Sequence, residues 1–167
     1  MNNIYNILLV VSLCITPTYA AADIIGIVQK VVDGDTIHLL DDSGKLYKVR
    51  LLGIDAPEMD QSFGIESREM LKYLIENKRV IIDSQKKDRY KRVLGKIFLD
   101  DMDVNLTMIS KGFAWHYKRY RKDQSRKDVP IYSEAEQRAK DNAIGLWSDA
   151  AFIPPWKWRQ NKRRNQN

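Results

Sequence analysis

The sequence contains a single cysteine, Cys14, and only two histidines among its 167 residues. Cys14 lies inside the apolar N-terminal run, so a chain processed after that run would hold no thiol. Disulfide bonds, zinc–thiolate sites and cysteine nucleophiles are then excluded. His38 and His116 lack metal-ligand spacing. We expect both histidines to be strand residues and not metal ligands.

The first 22 residues contain no Lys, Arg, Asp or Glu. An apolar run, Ile4–Ile15, is followed by small residues at Ala20–Ala22, which is typical of a secretory signal cleaved after Ala20 or Ala22. The run is shorter than the ~20 apolar residues that a membrane span needs. We expect residues 1–22 to be a signal peptide and the mature chain to be exported, to the periplasm or the medium, without stable membrane association.

The remaining chain is basic, with 28 Lys and Arg against 22 Asp and Glu and a formal net charge of +6. A basic surface suits a polyanion, either nucleic acid or an anionic membrane. Two segments are especially rich in positive charge, Lys118–Lys127 and the tail Lys157–Asn167. The tail follows Pro154-Pro155, and we expect it to be frayed.

Short β-branched runs and helical patterns divide the chain after residue 22. The predicted strands are Ile24–Val32, Thr36–Leu40, Tyr47–Ile54, Arg79–Ser84 and Val93–Leu99. The predicted helices are Gly64–Asn77, Asn105–Lys111 and Ile131–Asn142. This order indicates one domain over residues 23–150, mainly β with packed helices (α+β), followed by a basic tail over 151–167. Five short strands interrupted by a helix fit a small, partly open barrel, of which the oligonucleotide-binding (OB) type is one solution.

Acidic residues stand at the ends of the second and third strands, which an Asp41–Gly44 turn joins into a hairpin. If the strands pair, Asp35 and Asp55 meet, with Arg50 beside them. Carboxylates brought together repel unless a proton or cation intervenes, and a hard divalent ion suits oxygen ligands. An arginine beside such a cluster suggests a phosphate ester as the ligand.

Three motifs in this region resemble those of the staphylococcal nuclease (thermonuclease) family. They are DGDT at Asp33–Thr36, VRLLGIDAPE at Val49–Glu58 and DRYKR at Asp88–Arg92, in the family's order and with similar spacing. The resemblance extends from about Ile24 to Trp147. It implies a five-stranded OB-type Greek-key barrel and a calcium-dependent phosphodiesterase that cuts DNA and RNA and leaves 3′-phosphate ends.

The resemblance also implies roles for single residues at matching positions. The calcium ligands would be Asp35, Asp55 and the backbone carbonyl of Ala56, with Glu58 as general base and Arg50 and Arg92 as phosphate clamps. Arg89 and Tyr90 would bind the substrate near a terminal phosphate, and Tyr117 or Tyr120 would stack on a nucleotide. Lys91 stands where the family has a glycine.

Two other functions fit parts of the sequence. A noncatalytic OB-type module that binds single-stranded nucleic acid needs the basic surface but not Glu58. A membrane-surface protein needs an amphipathic basic helix, and no such helix is evident in the sequence. The joint presence of Asp35, Arg50, Asp55, Glu58 and Arg92 therefore favours an exported nuclease, which we expect to be a monomer.

Overall fold

The computed structural model of the chain describes residues 23–148 and 152–166. The predicted signal peptide, residues 1–22, lies outside these residues. Among the described residues, no helix combines the length and the apolar character needed to cross a membrane.

Within the described residues, five strands form the body of the protein and three two-residue strands extend the pairing. The strands are β1 Ile24–Asp33, β2 Thr36–Asp41, β3 Leu46–Leu51, β4 Ile54–Asp55, β5 Arg79–Lys87, β6 Val93–Leu99, β7 Met102–Asp103 and β8 Trp115–His116. The large sheet has the order β3-β2-β1-β5-β6-β7, and β3 also pairs with β6 in parallel. That additional pairing closes the sheet into a mixed five-stranded barrel, so the predicted mainly β fold class is confirmed.

Around the barrel, the part of the chain that the structure describes forms four α-helices and two short 3₁₀ helices. They are α1 Gly64–Ile75, α2 Val104–Ser110, α3 Asp128–Asp141 and α4 Pro155–Arg164, with 3₁₀ turns at Lys118–Asp123 and Gly145–Ser148. The buried face of α1, with Leu71, Leu74 and Ile75, joins the apolar side chains of the barrel in one core. A second cluster, built around Trp115 and Trp147, lies beneath the C-terminal part of the chain.

The third strand is shorter than the sequence predicts, because it ends at Leu51 instead of Ile54. Gly53 has φ of 78°, a left-handed conformation that glycine adopts without strain, and it turns the chain sharply. A Cβ at Gly53 would lie 2.1 Å from the side-chain amide nitrogen of Gln124. The turn starts the separate strand β4, so Asp55 is not on the strand that carries Arg50.

Other boundaries shift by a few residues where tertiary pairing overrides the local pattern. Strand β5 runs to Lys87, through polar residues expected to form a loop, because Lys86 and Lys87 pair with β6. Helix α3 begins at Asp128, three residues before the predicted start at Ile131. Apolar periodicity marks the buried part of an element and gives no signal for its polar ends.

The expectation that the tail is frayed is wrong, because the tail forms α4. Pro155 is the first helical residue, where its fixed φ suits a helix and its missing N–H costs nothing. The ring of Trp156 packs edge-on against Trp115, with the ring centres 5.5 Å apart. The two prolines therefore start a helix that returns to the barrel.

Asn105 connects α2 to the closing strand of the barrel and is completely buried. Its amide oxygen accepts the Ile97 N–H at 3.0 Å. Its amide nitrogen donates to the carbonyl oxygens of Leu52 at 2.9 Å and Gly95 at 3.2 Å. One side chain thus satisfies three backbone groups on β6 and on the turn after β3.

We expect Asn105→Ala to lower the free energy of unfolding by about 2–3 kcal/mol, because it leaves several buried polar groups unpaired. Urea unfolding followed by circular dichroism measures this change. Ser110→Ala is the matched control, since Ser110 is exposed and its hydroxyl bonds only within α2. A loss below about 0.5 kcal/mol for Asn105→Ala would contradict this connecting role.

Candidate active site

The turn between β1 and β2 places Asp35 at the end of the barrel. The Asp33 carboxylate accepts the Asp35 N–H at 3.0 Å, which fixes the turn. The Asp35 carboxylate accepts the Thr36 hydroxyl at 3.1 Å and the Ala56 N–H at 2.8 Å. Gly34 lets the neighbouring elements approach, because a Cβ there would overlap the side chains of Ser67 and Ala56.

Asp55 is fully buried on β4, where it is paired with Trp115 of β8. Arg50, at the end of β3, extends around the Gly53 turn to reach it. The Arg50 Nη1 donates to the carbonyl oxygens of Leu51 and Ile54, both at 3.0 Å. Its Nη2 lies 2.9 Å from both Asp35 Oδ2 and Asp55 Oδ1. The two aspartates predicted to meet therefore share one guanidinium nitrogen.

Around Arg50, the carboxylates of Asp33, Asp35 and Asp55 outnumber the single guanidinium that contacts Asp35 and Asp55. Burial raises the pKa of Asp35 well above its ordinary value; Arg50 opposes this shift, and the charges of Asp33 and Asp55 add to it. In the described parts of the chain, no three His, Cys, Asp or Glu side chains stand close enough to form a ready metal cluster. The oxygen-only donors of Asp35, Asp55 and Ala56 nevertheless fit a hard divalent cation, which would supply the positive charge that the carboxylates need.

Glu58 follows the β4 segment, and its side chain is 37% exposed. Its carboxylate receives a hydrogen bond from a residue 101 positions later, Arg159 of α4, with 2.6 Å between Nη1 and Oε1. The same guanidinium binds Asp55, with Nη2 2.7 Å from Oδ2 and Nη1 3.2 Å from Oδ1. Burial of Arg159 disfavours its charged guanidinium. The hydrogen bonds that Arg159 donates to Asp55 and Glu58 outweigh this effect and raise the pKa of Arg159 above its ordinary value.

The turn between β5 and β6 forms a second group of charged and aromatic side chains. Asp88 accepts the N–H groups of Tyr90 and Arg92 and also the Nε of Arg92, at 2.8–2.9 Å. The exposed ring of Tyr90 lies under the guanidinium groups of Arg89 and Arg92, with 5.0 and 5.5 Å to the ring centre. Lys91, in the family's glycine position, has φ of 64°, a left-handed conformation that strains a lysine.

An aromatic cleft lies beside Asp55, where Tyr117 contacts the turn that precedes this aspartate. The Tyr117 N–H donates to the Gly53 carbonyl oxygen at 2.8 Å, which holds Tyr117 against the turn before Asp55. Its ring stacks on Trp156 with 5.5 Å between centres and lies 5.1 Å from the exposed ring of Tyr120. A cavity of about 370 Å³ opens here. Its lining residues are Trp115, His116, Tyr117, Lys118, Arg119, Glu136, Lys140 and Trp156.

Comparison with known proteins assigns this chain to a family. The family model described as staphylococcal nuclease homologue matches residues 48–149. The chain belongs to the staphylococcal nuclease family. An uncharacterized endonuclease of Escherichia coli is 42% identical over 142 residues, covering 84% of this chain and 88% of that protein. Micrococcal nuclease of Shigella flexneri is 36% identical over 157 residues, covering 89% and 87%. As a member of this family the chain is a nuclease, a phosphodiester hydrolase.

The structure brings together some of the residues that the resemblance to the staphylococcal nuclease family selects and separates others. Asp35, Arg50, Asp55 and Ala56 form one contact network. Glu58 joins it only through Arg159. The group of Arg89, Tyr90 and Arg92 lies on a separate turn, and its contacts are within that turn. The parallel register, with Val49 opposite Val93, brings Arg92 to the barrel end that carries Arg50.

Sequence reasoning missed Arg159; it anticipated that Trp156 would lie in the core or dock the tail, but not that it would stack on Tyr117. The family resemblance ends at about Trp147, and the family model ends at residue 149, so neither reaches α4. The only signal for these two residues is local. Pro155 begins a possible helix, in which Trp156 and Arg159 stand three positions apart and so share one face.

We expect Lys91→Gly to raise the free energy of unfolding by about 0.5–1 kcal/mol, because glycine adopts this left-handed conformation without strain. Denaturant unfolding measures the change. Lys87→Gly, at an exposed strand position, is the control and should lower stability by a similar amount. If Lys91→Gly is destabilising to the same extent as Lys87→Gly, the turn is not strained at Lys91.

Proposed function

We propose that this staphylococcal nuclease homologue is an exported, calcium-dependent endonuclease that cleaves DNA and RNA and leaves 3′-phosphate ends. The observation that carries the proposal is the shared contact of Asp35 and Asp55 with Arg50, next to Glu58 and the aromatic cleft of Tyr117. This arrangement combines oxygen ligands for a cation, a carboxylate for proton transfer and a guanidinium for a phosphate.

Calcium would be held by the carboxylates of Asp35 and Asp55 and by the carbonyl oxygen of Ala56. When bound, it supplies positive charge that lowers the energy of a phosphoryl group under attack. The protein side of the site is preorganised for this role. The Ala56 N–H and the Thr36 hydroxyl orient the Asp35 carboxylate, and the backbone carbonyl groups of Leu51 and Ile54 hold Arg50 in place.

Glu58 is the group that accepts a proton in the proposed reaction. It takes the proton from a water molecule whose oxygen forms a bond to phosphorus, while the bond from phosphorus to the 5′-oxygen breaks. The 5′-oxygen leaves with a proton from solvent as a hydroxyl, and the phosphate stays on the 3′-oxygen. Arg50 and Arg92 bind the phosphoryl oxygens, whose negative charge grows in the transition state.

The surroundings of the site suit a polynucleotide with either sugar. The site as proposed recognises phosphate, which DNA and RNA share. Tyr117 and Tyr120 offer rings for stacking on a base, and such stacking tolerates different bases. The exposed 3₁₀ helix Lys118–Asp123 adds positive charge next to these tyrosines. Arg89 and Tyr90 are proposed to bind further along the strand, near a terminal phosphate.

Export would place the enzyme where calcium is abundant. Extracellular calcium sites typically have Kd values of about 10⁻⁴ to 10⁻³ M, so two carboxylates and one carbonyl are a sufficient ligand set there. The proposed signal peptide, residues 1–22, and this ligand set support the same location.

Digestion of single-stranded DNA by the mature chain tests the proposal. We expect cutting with calcium, none with EDTA, and products that carry 3′-phosphate. Asp35→Asn should weaken calcium binding, measured by titration calorimetry, while circular dichroism shows an intact fold. Full activity in EDTA would overturn the metal assignment. Binding of DNA without any cutting would support the noncatalytic module instead.

A second prediction isolates the proposed base. Glu58→Gln should lower kcat by roughly 100-fold or more and change KM little, because the amide keeps the shape but cannot accept the proton. Glu66→Gln is the matched control, since Glu66 is an exposed carboxylate in the first turn of α1. An unchanged kcat for Glu58→Gln would remove Glu58 from the mechanism.

A further inference from the structure

Arg159 of α4 contacts the two carboxylates that matter most to the proposed reaction. It binds both oxygens of Asp55 and one oxygen of Glu58. Asp55 Oδ1 is also held by Arg50, so each oxygen of this buried carboxylate already has a cationic partner. A calcium ion bound by Asp55 would have to displace at least one of these contacts. The guanidinium and a divalent ion therefore compete for the same oxygen atoms.

Arg159 also occupies Glu58, the proposed base, through a hydrogen bond. The hydrogen bond from Arg159 occupies a carboxylate oxygen of Glu58 that would otherwise be free to receive the proton from a water molecule. Glu58 Oε1 lies 2.6 Å from Arg159 Nη1. One side chain of the C-terminal helix thus engages a proposed metal ligand and the proposed base together.

Helix α4 is held against the rest of the protein mainly by polar and aromatic contacts at the surface, which other ligands could replace. Pro155 is its only buried residue. Lys162 and the indole nitrogen of Trp158 both bind the exposed carboxylate of Asp60. The ring of Trp156 stacks on Tyr117 with an interplanar angle of 19°. Trp156 also packs against the Trp115 cluster, but no residue of α4 belongs to the barrel core, so release of the helix would leave that core intact.

The helix also carries the charges that a nucleic acid would attract. Its cationic residues are Lys157, Arg159, Lys162, Arg163 and Arg164. Phosphates bind such residues with release of counterions, so a polynucleotide at the site would compete with Asp60 and Glu58 for the helix. Release of α4 would also free the ring of Tyr117, a proposed stacking residue.

We propose that α4 is an autoinhibitory latch, in which Arg159 occupies the carboxylates of Asp55 and Glu58 until a divalent cation displaces it and a polynucleotide binds the released helix. The proposal rests on the proposed function, since it gives the regulation of that same site. In the latched form the carboxylates are neutralised without calcium. In the open form they bind the cation, and the basic helix is free to contact the nucleic acid.

Calcium titration without substrate tests the latch in the full mature chain. Arg159→Gln should bind calcium roughly three- to tenfold more tightly than wild type by calorimetry, the effect of losing one or two partly exposed ion pairs. Arg163→Gln removes the same charge from an exposed position on the same helix, and it should leave the calcium Kd unchanged. Equal tightening in both variants would mean that only net charge matters and would overturn the latch.

Asp60→Asn provides a second test that does not alter the site. It removes the ion pair with Lys162 and weakens the anchor of α4, so it should tighten calcium binding about twofold through easier release of α4. It also keeps the proposal testable if Arg159→Gln fails to fold. Calcium should in addition change the tryptophan fluorescence of the wild type, because Trp156 leaves Tyr117, and Trp156→Phe should remove most of that change.

The outcomes separate the latch from the proposed function. If the wild type binds calcium and cuts DNA but neither Arg159→Gln nor Asp60→Asn binds calcium more tightly, the latch is overturned and the nuclease mechanism stands. If Arg159→Gln leaves calcium affinity unchanged and weakens DNA binding, Arg159 is a substrate ligand and the latch is also overturned. If no form binds calcium, the metal assignment fails and the latch fails with it.

Discussion

Asp55 is a carboxylate without exposed surface, and the structure depends on how its charge is balanced. A buried carboxylate without a partner would carry a large desolvation penalty, so its position requires cations in fixed places. Arg50 meets this need from the end of β3, after the chain has turned at Gly53. The turn, the short strand β4 and the placement of Asp35 all follow from bringing one guanidinium to two carboxylates.

The barrel supplies the rigidity that this charge cluster needs. Parallel pairing of β3 with β6 closes the sheet directly beside Arg50, and Asn105 ties the turn after β3 to β6 and α2. The chain segments that carry Asp35, Arg50 and Asp55 are therefore held by strand pairing and buried hydrogen bonds. The proposed substrate-binding turn at Tyr90 and the helix α4 lie outside this rigid frame, at the surface.

The hairpin and its charged residues could be predicted from the sequence because the signals are local. The Asp41–Gly44 turn sets the register that places Thr36 opposite Arg50, and two carboxylates that meet beside an arginine indicate an ion-binding site. No local pattern indicates the β3–β6 pair, because parallel pairing joins strands that are distant in the chain; the closed barrel is expected only from the family resemblance.

The role of α4 could not be predicted for a different reason. Arg159 lies 104 positions from Asp55, outside the region that resembles the family, and a basic tail usually remains in solvent. Its helix is docked by the packing of Trp156 on Trp115 and Tyr117, and the sequence suggests docking for this tryptophan without indicating the surface that receives it. Docking of a helix is a property of two complementary surfaces, and only one of them is visible in the sequence of that helix.

Folding and catalysis make opposed demands on the carboxylates at this site. Folding requires a positive partner for the buried carboxylate of Asp55, whereas the proposed catalysis requires that a partner can be exchanged for a metal ion and a substrate. Removing a buried partner such as Arg50 would leave a charge stranded in the core and destabilise the barrel. Arg159 is half-exposed and comes from a peripheral helix, so its departure does not open the core. In the proposed latch, Arg50 on β3 is the fixed cation and Arg159 on α4 is the exchangeable one, so both demands are met in one site.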